Sequence, residues 1–429
     1  MAIPTQHHIV ILGSGFAGLR TAIELKKRAS RLKQARITLV DARADHVYTP
    51  LLYEVCTGSL MPGICADDLR VRELKKGVTF PLSDFCFSGK KISVEVKQGK
   101  VLRADPTTHT VNFEDGSSLS YDTLVVALGS QIATNKIPGV IDFALPMKRL
   151  EYAVVLQHTF REGLKRARRD GKSWRLVVCG AGATGCELAA ELAGYIRSVS
   201  RHKHEDAPKV DIVLVDASQR VLSASRESVS RRAFARLSSL GIEMVLNACV
   251  KEVRKGEVHI DVNGNKRTLT CDAIVWTAGI EPSTELAHLG CPFDERGFIR
   301  VKPTLEVEQT EQVYALGDAV IFLHPKTGAR VPALAQVADR QANIVAENIT
   351  RSLERRPDIN WNPPERWTTV IPLGGSFALL DLGLFIIGGR AGYCVHKVID
   401  LWYVLSILPV RRAWKHWSYA RKMFLQNDD

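Results

Sequence analysis

Two long stretches of the sequence combine an apolar run, a glycine-rich turn and a helical pattern of apolar positions. The first is HHIVILGSGFAGLRTAIEL near the N-terminus, and the second is WRLVVCGAGATGCELAAEL in the middle of the chain. Each is followed by another apolar run that ends in an aspartate, ARITLVDAR and VDIVLVDASQ. Strands that alternate with helices in this way indicate parallel βαβ units. The pattern predicts an α/β fold with two such units.

The first glycine turn has the spacing of a dinucleotide-binding loop, since Gly13, Gly15 and Gly18 follow a strand and open a helix. The first glycine permits the tight turn, the second lets a pyrophosphate approach, and the third lets the helix pack on the strand. The helix N-terminus favours the phosphate charge, and Asp41 at the next strand end suits a ribose hydroxyl. The candidate residues of this Rossmann-like site are Gly13, Gly15, Phe16, Ala17, Gly18, Asp41 and Ala42.

The same spacing recurs at Gly180, Gly182 and Gly185, and Asp216 ends the strand that follows. A carboxylate there repels the 2′-phosphate of NADPH and favours NADH, while the nearby Arg220 leaves NADPH open. Two complete fingerprints predict two dinucleotides, as in flavoproteins that pass a hydride from NAD(P)H to FAD. The candidate residues of the second site are Gly180, Gly182, Thr184, Gly185, Glu187 and Asp216.

Three further apolar runs end in small residues, where a backbone can approach a cofactor closely. They are YDTLVVALGS, CDAIVWTAGI and VYALGDAV, and the last ends in a carboxylate suited to a flavin ribityl hydroxyl. The chain order is therefore flavin part, nicotinamide part and flavin part again. The candidate residues of these runs are Ala127, Gly129, Ala278, Gly279, Gly317 and Asp318.

Composition excludes several other classes of protein. A chain of 429 residues with 45% hydrophobic and 24% charged residues predicts two or three globular domains. The N-terminus lacks the pattern of a secretory signal, and nine unevenly spaced cysteines predict neither a disulfide framework nor a metal site. We expect a reducing cytoplasm. The net charge of +12 comes without a nucleic-acid-binding motif, so we expect no nucleic acid partner.

The C-terminal segment predicts a membrane surface. VHKVIDLWYVLSILPVRRAWKHWSYARKMFL reads as two short helices broken at Pro409, and its apolar part is too short to span a bilayer. Cations interleaved with tryptophans are typical of an amphipathic helix that lies on anionic lipid. A dimerisation helix or a core helix is the alternative. The residues concerned are Arg411, Arg412, Trp414, Lys415, Trp417, Arg421, Lys422 and Phe424.

Three motifs resemble those of the type II, non-proton-pumping NADH:quinone oxidoreductases, which are two-dinucleotide-binding-domain flavoproteins. They are YTPLLYEV (Tyr48–Val55), GAGATGCELAAEL with Glu187, and AQVADRQ (Ala335–Gln341), and the resemblance covers roughly residues 8–350. It implies that Thr49, Pro50 and Leu51 lie beside the flavin ring and that Glu187 lies between the two ring systems. It also implies that a helix carrying Ala335, Gln336 and Gln341 forms the quinone site.

The predicted quinone helix departs from the family pattern. Arg340 stands where the first of two adjacent glutamines is usual, as Cys56 stands where a small residue is usual. Pro332 is suited to the first turn of this helix, and Gln336 and Arg340, four residues apart, share one face. Gln341 lies roughly 140° round the helix from Gln336. This face is either a quinone pocket, which we favour, or a solvated surface.

The resemblance implies four parts of the chain. Residues 1–150 and 291–365 form the two parts of the FAD-binding domain, the second with the quinone helix; residues 151–290 form the inserted NADH-binding domain, and residues 366–429 the amphipathic helical anchor. We expect hydride transfer from nicotinamide C4 to flavin N5, then reduction of a membrane quinone. The expected protein is a homodimer, peripheral to the cytoplasmic face of the cell membrane.

Rival interpretations remain. Sulfide:quinone oxidoreductase shares the flavin and the membrane tail but lacks a functional NADH site. A disulfide or ferredoxin reductase is disfavoured because Cys56 and Cys65 lack the short Cys-x4-Cys spacing, and a flavin-dependent redox sensor is a third reading. The scattered histidines predict no metal; we expect His46 to be structural, His396 to belong to the tail and Glu191 to face a helix neighbour or solvent.

Overall fold

The computed structural model of the chain describes residues 6–32, 34–58, 67–134, 136–203 and 208–424. The chain forms two compact units, each built from three separate stretches. The first unit comprises Met1–Val47, Thr79–Gln131 and Ile280–Glu365, and the second comprises Tyr48–Val78, Ile132–Gly279 and Arg366–Asp429. The four-part division expected from the sequence stays a prediction.

The strands alternate with helices in the two nucleotide-binding regions and form small antiparallel sheets elsewhere. Among the described residues they are β1 (His7–Leu12), β2 (Ala35–Asp41), β3 (Asp45–Val47), β4 (Thr79–Pro81), β5 (Phe87–Ser88), β6 (Ile92–Gln98), β7 (Val101–Asp105), β8 (Thr110–Phe113), β9 (Ser118–Ser120), β10 (Thr123–Val126), β11 (Ser130–Ile132), β12 (Leu145–Pro146), β13 (Trp174–Cys179), β14 (Val210–Val215), β15 (Glu243–Val245), β16 (Ala248–Arg254), β17 (Glu257–Val262), β18 (Asn265–Thr270), β19 (Ala273–Trp276), β20 (Ile280–Pro282), β21 (Val313–Ala315), β22 (Thr369–Pro372), β23 (Ala378–Asp381) and β24 (Ile386–Gly389).

The helices range from single turns to 21 residues. In the same described ranges they are α1 (Phe16–Lys27), α2 (Leu52–Val55), α3 (Asp67–Val78), α4 (Val140–Phe143), α5 (Leu150–Asp170), α6 (Ala183–Lys203), α7 (Glu227–Ser239), α8 (Ala335–Leu353), α9 (Arg390–Ile407) and α10 (Val410–Phe424).

The first unit is organised around a sheet in the order β21-β10-β1-β2-β6-β5, which is parallel except for β5. Its central strands read as continuous apolar runs, because a parallel sheet is covered on both faces; Ile9 through Leu12 have no exposed surface. Helix α1 packs against α8. The ion pairs of Arg28 with Glu347 and of Arg31 with Glu354 lie along this contact.

The second unit contains a parallel sheet in the order β12-β19-β13-β14-β15 and an antiparallel sheet β16-β17-β18. Trp276 is the largest of its fully buried side chains, and its indole N–H donates to the Ala133 carbonyl oxygen at 2.7 Å. A third sheet, β22-β23-β24, is antiparallel and packs against α9. The unit therefore joins a nucleotide-binding region to the C-terminal helices.

The C-terminal segment forms two helices separated at Leu408 and Pro409, as the sequence predicts. Helix α10 packs against α3, and Phe424 is buried against Gly58 and Gly77, so the predicted lipid-facing stripe ends before Phe424. In the part of the chain that the structure describes, no helix has both the length and the apolar character needed to cross a membrane.

Candidate active site

The first glycine loop joins β1 to α1 in the first unit. Gly13 has a φ of +96°, and a Cβ atom there would collide with the Ala127 carbonyl oxygen. A Cβ atom on Gly18 would overlap the Gly13 carbonyl oxygen, whereas one on Gly15 would meet nothing within 4 Å. The loop therefore packs tightly at its first and third glycines and is open at its second. Gly15 is the N-cap of α1 and has no side-chain cap, so the helix N-terminus can accept a phosphate.

Asp41 closes this loop from the end of β2. Its Oδ2 atom accepts from the Ser14 amide at 2.8 Å and from the Ser14 hydroxyl at 2.7 Å, and its Oδ1 atom accepts from the Arg43 amide at 2.9 Å. The side chain is buried. The residue predicted to bind a ribose thus also fixes the backbone next to the pyrophosphate position, while Ala42 beside it is exposed.

His46 lies beneath the same loop. Its Nδ1 atom is 2.8 Å from the Ser14 carbonyl oxygen, and its buried ring packs edge-on to Phe16 and beside Phe80. Burial lowers the pKa of His46 to about 4, with the nearby Arg43 adding to the effect and the Ser14 carbonyl opposing it. A neutral imidazole donating to that carbonyl fits the expected structural role.

The third glycine segment of the first unit lies between β21 and α8. The Gly317 amide donates to the Gln341 Oε1 atom at 2.8 Å, and the Ser130 hydroxyl donates to the Asp318 Oδ2 atom at 2.7 Å. A Cβ atom on Gly317 would come within 3.1 Å of the Ala17 Cβ atom, so Ala17 lies directly beside Gly317. The candidate residues Gly13 to Gly18, Ala127, Gly317 and Asp318 therefore gather at one edge of the sheet.

Helix α8 begins at Ala335, three residues later than Pro332 predicts, because Leu334 is still extended at φ −126° and ψ 147°. Gln336 is partly exposed and Arg340 is exposed, whereas Gln341 is 1% exposed. The Gln341 carbonyl group is occupied by the Gly317 amide. Of the three residues predicted for the quinone site, Gln341 supports the loop at Gly317. Gln336 and Arg340 lie on the more exposed face of α8.

The second glycine loop, between β13 and α6, repeats the geometry in the second unit. Gly180 has a φ of +113°, a Cβ atom on Gly185 would overlap the Gly180 carbonyl oxygen, and one on Gly182 would meet nothing within 4 Å. Asp216 accepts from the Ala181 amide at 2.6 Å and from the Ser218 amide at 2.7 Å. The two loops thus match in their glycines and in the carboxylate that fixes them.

The neighbours of this loop keep its mouth accessible. Thr184 and Gly279 are exposed and Ala278 is partly exposed, which leaves room beside the helix N-terminus. The Arg220 guanidinium donates to the backbone carbonyls of Ser225 and Ser223 at 2.8 and 2.7 Å. Arg220, the cation that could have favoured NADPH, is therefore held by backbone carbonyls of its own loop. Asp216 is the charged group at the strand end.

The YTPLLYEV segment forms a 3₁₀ turn, Thr49–Leu51, followed by α2. Thr49 is exposed and Pro50 partly exposed. Tyr53 and Glu54 are buried in the second unit at 5% and 6% exposure. The turn thus presents its first two residues outward, while the helix carries a carboxylate into the interior.

Glu187 lies in the first turns of α6, just after Gly185. Burial, and then the negative charge of Glu54, raise the pKa of Glu187 to about 8. The N-terminal helix dipole favours ionised carboxylates, but here the loss of hydration outweighs it. Glu187 is therefore a carboxyl group that holds its proton at neutral pH, which is the property of a proton donor.

Both loops fit a dinucleotide. The open space at Gly15 and Gly182 sits at a helix N-terminus, where backbone amides and the helix dipole hold a pyrophosphate. The carboxylates of Asp41 and Asp216 stand at the strand ends where a ribose binds. Among the described residues, no group of three or more His, Cys, Asp or Glu side chains could hold a metal ion.

The sequence profile of the pyridine nucleotide-disulphide oxidoreductases matches residues 7–342 of the 429. The chain belongs to this family. It is similar to the type II NADH:quinone oxidoreductase of Haemophilus influenzae, with 28% identity over 381 residues that cover 82% of this chain and 81% of that protein. The resemblance seen in the motifs is thus confirmed, and with it the expectation of an oxidoreductase that uses FAD and NADH.

Solved structures share the fold across nearly the whole chain. NDH2 from Plasmodium falciparum, in complex with NADH, superposes with a TM-score of 0.81 at 19% identity, over 98% of this chain and 99% of that one. Sulfide:quinone oxidoreductase from Aquifex aeolicus gives a TM-score of 0.74 at 17% identity, over 95% and 92%. The predicted α/β fold is confirmed, and the fold alone does not separate the two activities.

Several residues of the interior escaped the sequence reasoning. Glu54, Lys397 and Asp400 stand in otherwise apolar stretches of the sequence. That contrast is the sequence signal that could have identified them. Glu191, expected at a helix neighbour or in solvent, is buried and accepts from the Thr57 hydroxyl at 2.6 Å.

Cys56 is the described member of the cysteine pair that the disulfide-reductase reading concerns. Cys56 is fully buried, its thiol points at the Leu52 carbonyl, and burial raises its pKa. Cys65 lies outside the described residues. A buried thiol of raised pKa is a weak nucleophile, so Cys56 acts here as a small core residue.

Proposed function

We propose that this protein oxidises NADH and reduces a membrane quinone without pumping protons. The first unit would hold FAD through the loop at Gly13–Gly18, and the second would hold NADH through the loop at Gly180–Gly185. The observation that carries the proposal is this pair of matched loops, in a chain similar over 82% of its length to a type II NADH:quinone oxidoreductase.

FAD, when bound, supplies the redox chemistry by taking the nicotinamide C4 hydride at N5 and passing two electrons to the quinone. The protein binds and orients. The amides at Gly15 and Gly182 would face the two pyrophosphates, and Asp318, oriented by the Ser130 hydroxyl, would accept from the ribityl chain. The Asp216 carboxylate would select NADH over NADPH by repelling a 2′-phosphate.

The quinone-facing groups on α8 would be Gln336 and Arg340. They lie on one helical face, and a cation beside a quinone oxygen stabilises negative charge that develops there. Arg340→Gln should leave flavin reduction by NADH intact and alter only the quinone step, as measured in separate stopped-flow half-reactions. An Arg340→Gln protein with an unchanged quinone half-reaction would remove Arg340 from the site.

The C-terminal helices would lie on an anionic membrane surface. Val398, Trp402, Val410 and Trp414 expose 58–71% of their surfaces, and Arg411, Arg412 and Lys415 accompany them on α10. Apolar side chains beside cations suit the interface of an anionic bilayer. We extend the proposal to a peripheral protein on the cytoplasmic face and to a homodimer, which sedimentation of the detergent-solubilised protein would test.

One experiment separates this function from its rivals. Purified protein is mixed anaerobically with NADH, then with a short-chain quinone, while the flavin absorbance is followed. Bleaching by NADH and rapid recovery with quinone are expected. A flavin bleached by sulfide and not by NADH would instead indicate a sulfide:quinone oxidoreductase. Reduction by NADH with no quinone-dependent turnover would favour the redox sensor.

A further inference from the structure

If the proposed function holds, one proton must reach the quinone from solvent in every turnover. The overall reaction, NADH + H⁺ + quinone → NAD⁺ + quinol, consumes two protons at the quinone and draws one of them from the hydride donor. The other comes from water, and a bound hydrophobic quinone is not itself in water. The interior of the second unit contains a connected set of titratable side chains suited to this task.

Glu54 is the centre of this set, which we name the acidic relay: Tyr48, Tyr53, Glu54, Glu187, His396, Lys397 and Asp400. The Glu54 Oε1 atom accepts from the Tyr53 hydroxyl at 2.9 Å and from the Lys397 ammonium at 2.7 Å. The Glu54 Oε2 atom is buried without a hydrogen-bond partner among the described residues. A buried carboxylate oxygen left unpaired is costly, so its retention calls for a use.

Helix α9 extends the relay. The Tyr53 hydroxyl is 3.2 Å from the His396 Nε2 atom, which is 3.7 Å from an oxygen of Asp400. The second oxygen of Asp400 accepts from the Tyr48 hydroxyl at 2.9 Å. The Lys397 side chain is 17% exposed, against 7% for Glu54, which gives the relay its contact with solvent.

The packing of α2 on α6 brings Glu54 to Glu187. Helix α2 is in contact with α6. The Thr57 hydroxyl, just beyond the end of α2, donates to Glu191, and Glu187 lies one helical turn before Glu191 on α6. The negative charge of Glu54 accordingly acts on Glu187 and raises its pKa. The groups facing Glu187 are thus Glu54 and Tyr53 from α2, with Glu191 on its own helix and Lys397 behind Glu54.

We propose that Glu54 delivers the solvent proton to Glu187. Glu187 gives its own proton to the quinone as the quinone takes up two electrons. The Lys397 ammonium gives a proton to the Glu54 carboxylate, and Glu54 passes one to the Glu187 carboxylate. Lys397 then regains a proton from solvent. One proton moves per turnover, each bond to hydrogen broken is matched by one formed, and the relay ends in its starting state. His396 and Asp400 keep Tyr53 oriented toward Glu54.

The test compares Glu54→Gln with the same substitution one turn along, Glu191→Gln. Glu191 is also buried and hydrogen-bonded, but it does not contribute to the pKa of Glu187. Tyr53→Phe, which removes only a hydroxyl group, is a milder second variant in case Glu54→Gln does not fold. The FAD-loaded proteins are followed in two half-reactions, flavin reduction by NADH and reoxidation by a short-chain quinone, in H₂O and D₂O.

Glu54→Gln should leave flavin reduction unchanged and slow the quinone step by about tenfold or more, since proton transfer by a positioned group typically contributes 10²–10⁴-fold. The solvent isotope effect on that step should rise, and imidazole in the buffer should restore part of the rate. Glu191→Gln should do none of these. Infrared titration of the Glu187 carboxyl band gives a readout apart from turnover, and its midpoint should fall in Glu54→Gln only.

Three results would overturn the relay. A normal quinone step in Glu54→Gln would do so, as would an equal loss in Glu191→Gln, which would assign Glu54 to packing. A slowed step with neither an isotope effect nor rescue would do the same. If the unaltered protein is not reduced by NADH, or is reduced and ignores quinone, the proposed function has failed, and the relay falls with it.

Discussion

Glu187→Gln tests whether the second unit holds a protonated carboxyl group. Burial and the charge of Glu54 move the pKa of Glu187 from 4.5 to about 8. Between these two pH values the native state binds more protons at this site than the unfolded state does. Stability from this group is complete below pH 4.5 and is lost as pH rises toward 8. Glutamine does not titrate, so the variant should escape this loss.

The size of the effect follows from the two pKa values. Their difference of about 3.5 corresponds to about 5 kcal/mol at roughly 1.4 kcal/mol for each factor of ten. This is an upper bound, because Glu187 keeps part of its surface exposed and water stabilises its ionised form. We expect Glu187→Gln to match the unaltered protein near pH 5 and to exceed it by about 2–5 kcal/mol at pH 8.

The assay is urea unfolding of the FAD-loaded protein at several pH values between 5 and 8, with Glu187→Gln and Glu227→Gln measured beside it. Glu227 is exposed at the start of α7 and serves as the matched control. The comparison between variants cancels the titration of all other groups. Parallel stability curves for Glu187→Gln and the unaltered protein would show that Glu187 is ionised in the native state, and the reasoning would be refuted.

Three more changes probe the rest of the molecule. His46 is held neutral with a pKa of about 4 against 6.5 when free, so its stabilisation of the fold is lost as pH falls through this interval. Flavin fluorescence should report release of FAD in acid, and this release should depend less on pH in His46→Phe. Trp402→Ser with Trp414→Ser should weaken flotation with anionic vesicles by about tenfold, and vesicles of neutral lipid should bind less in every case. Gln341→Leu removes the acceptor of the Gly317 amide, costs about 1–3 kcal/mol, and should lower FAD affinity in apoprotein titrations while NADH binding stays unchanged.

Point substitutions are preferred to truncation of the tail for a structural reason. Phe424 fills the space beside Gly58 and Gly77, and Tyr419 donates to the carboxylate of Glu73 on α3. Removing the chain after Ile387 would therefore uncover α3 as well as delete the helices proposed to contact the membrane. Loss of membrane binding in such a truncation would not distinguish an anchor from a damaged core.

The nucleotide loops were predictable because all their determinants are local. Gly13, Gly15 and Gly18 span six residues, and the turn, the helix N-terminus and the packing of helix on strand follow from that spacing alone. The break between α9 and α10 was predictable for the same reason, since Pro409 cannot continue a helix. The bonds of Asp41 and Asp216 to the loop backbone add detail to a role already assigned.

The acidic relay could not be predicted, because it depends on contacts between distant parts of the chain. Glu54 and Lys397 are 343 residues apart, and no periodicity in either segment relates them. The position of Gln341 inside the first unit could not be predicted either. The angle between it and Gln336 was predictable, but which of them faces inward depends on where Gly317 lies beside the helix.

Helix α9 would link the proposed membrane surface to the proposed relay. Its buried side chains include the polar His396 and Asp400 beside Tyr403, Val404 and Ile407, whereas Val398 and Trp402 are exposed. On a helix that faces water, the exposed side chains are usually polar. Lipid would cover the exposed Val398 and Trp402, and the buried His396 and Asp400 would serve the proposed relay of the second unit. Lys397 lies at the edge between the two faces, so the same helix that would rest on the membrane would also admit the proton that a membrane-bound quinone consumes.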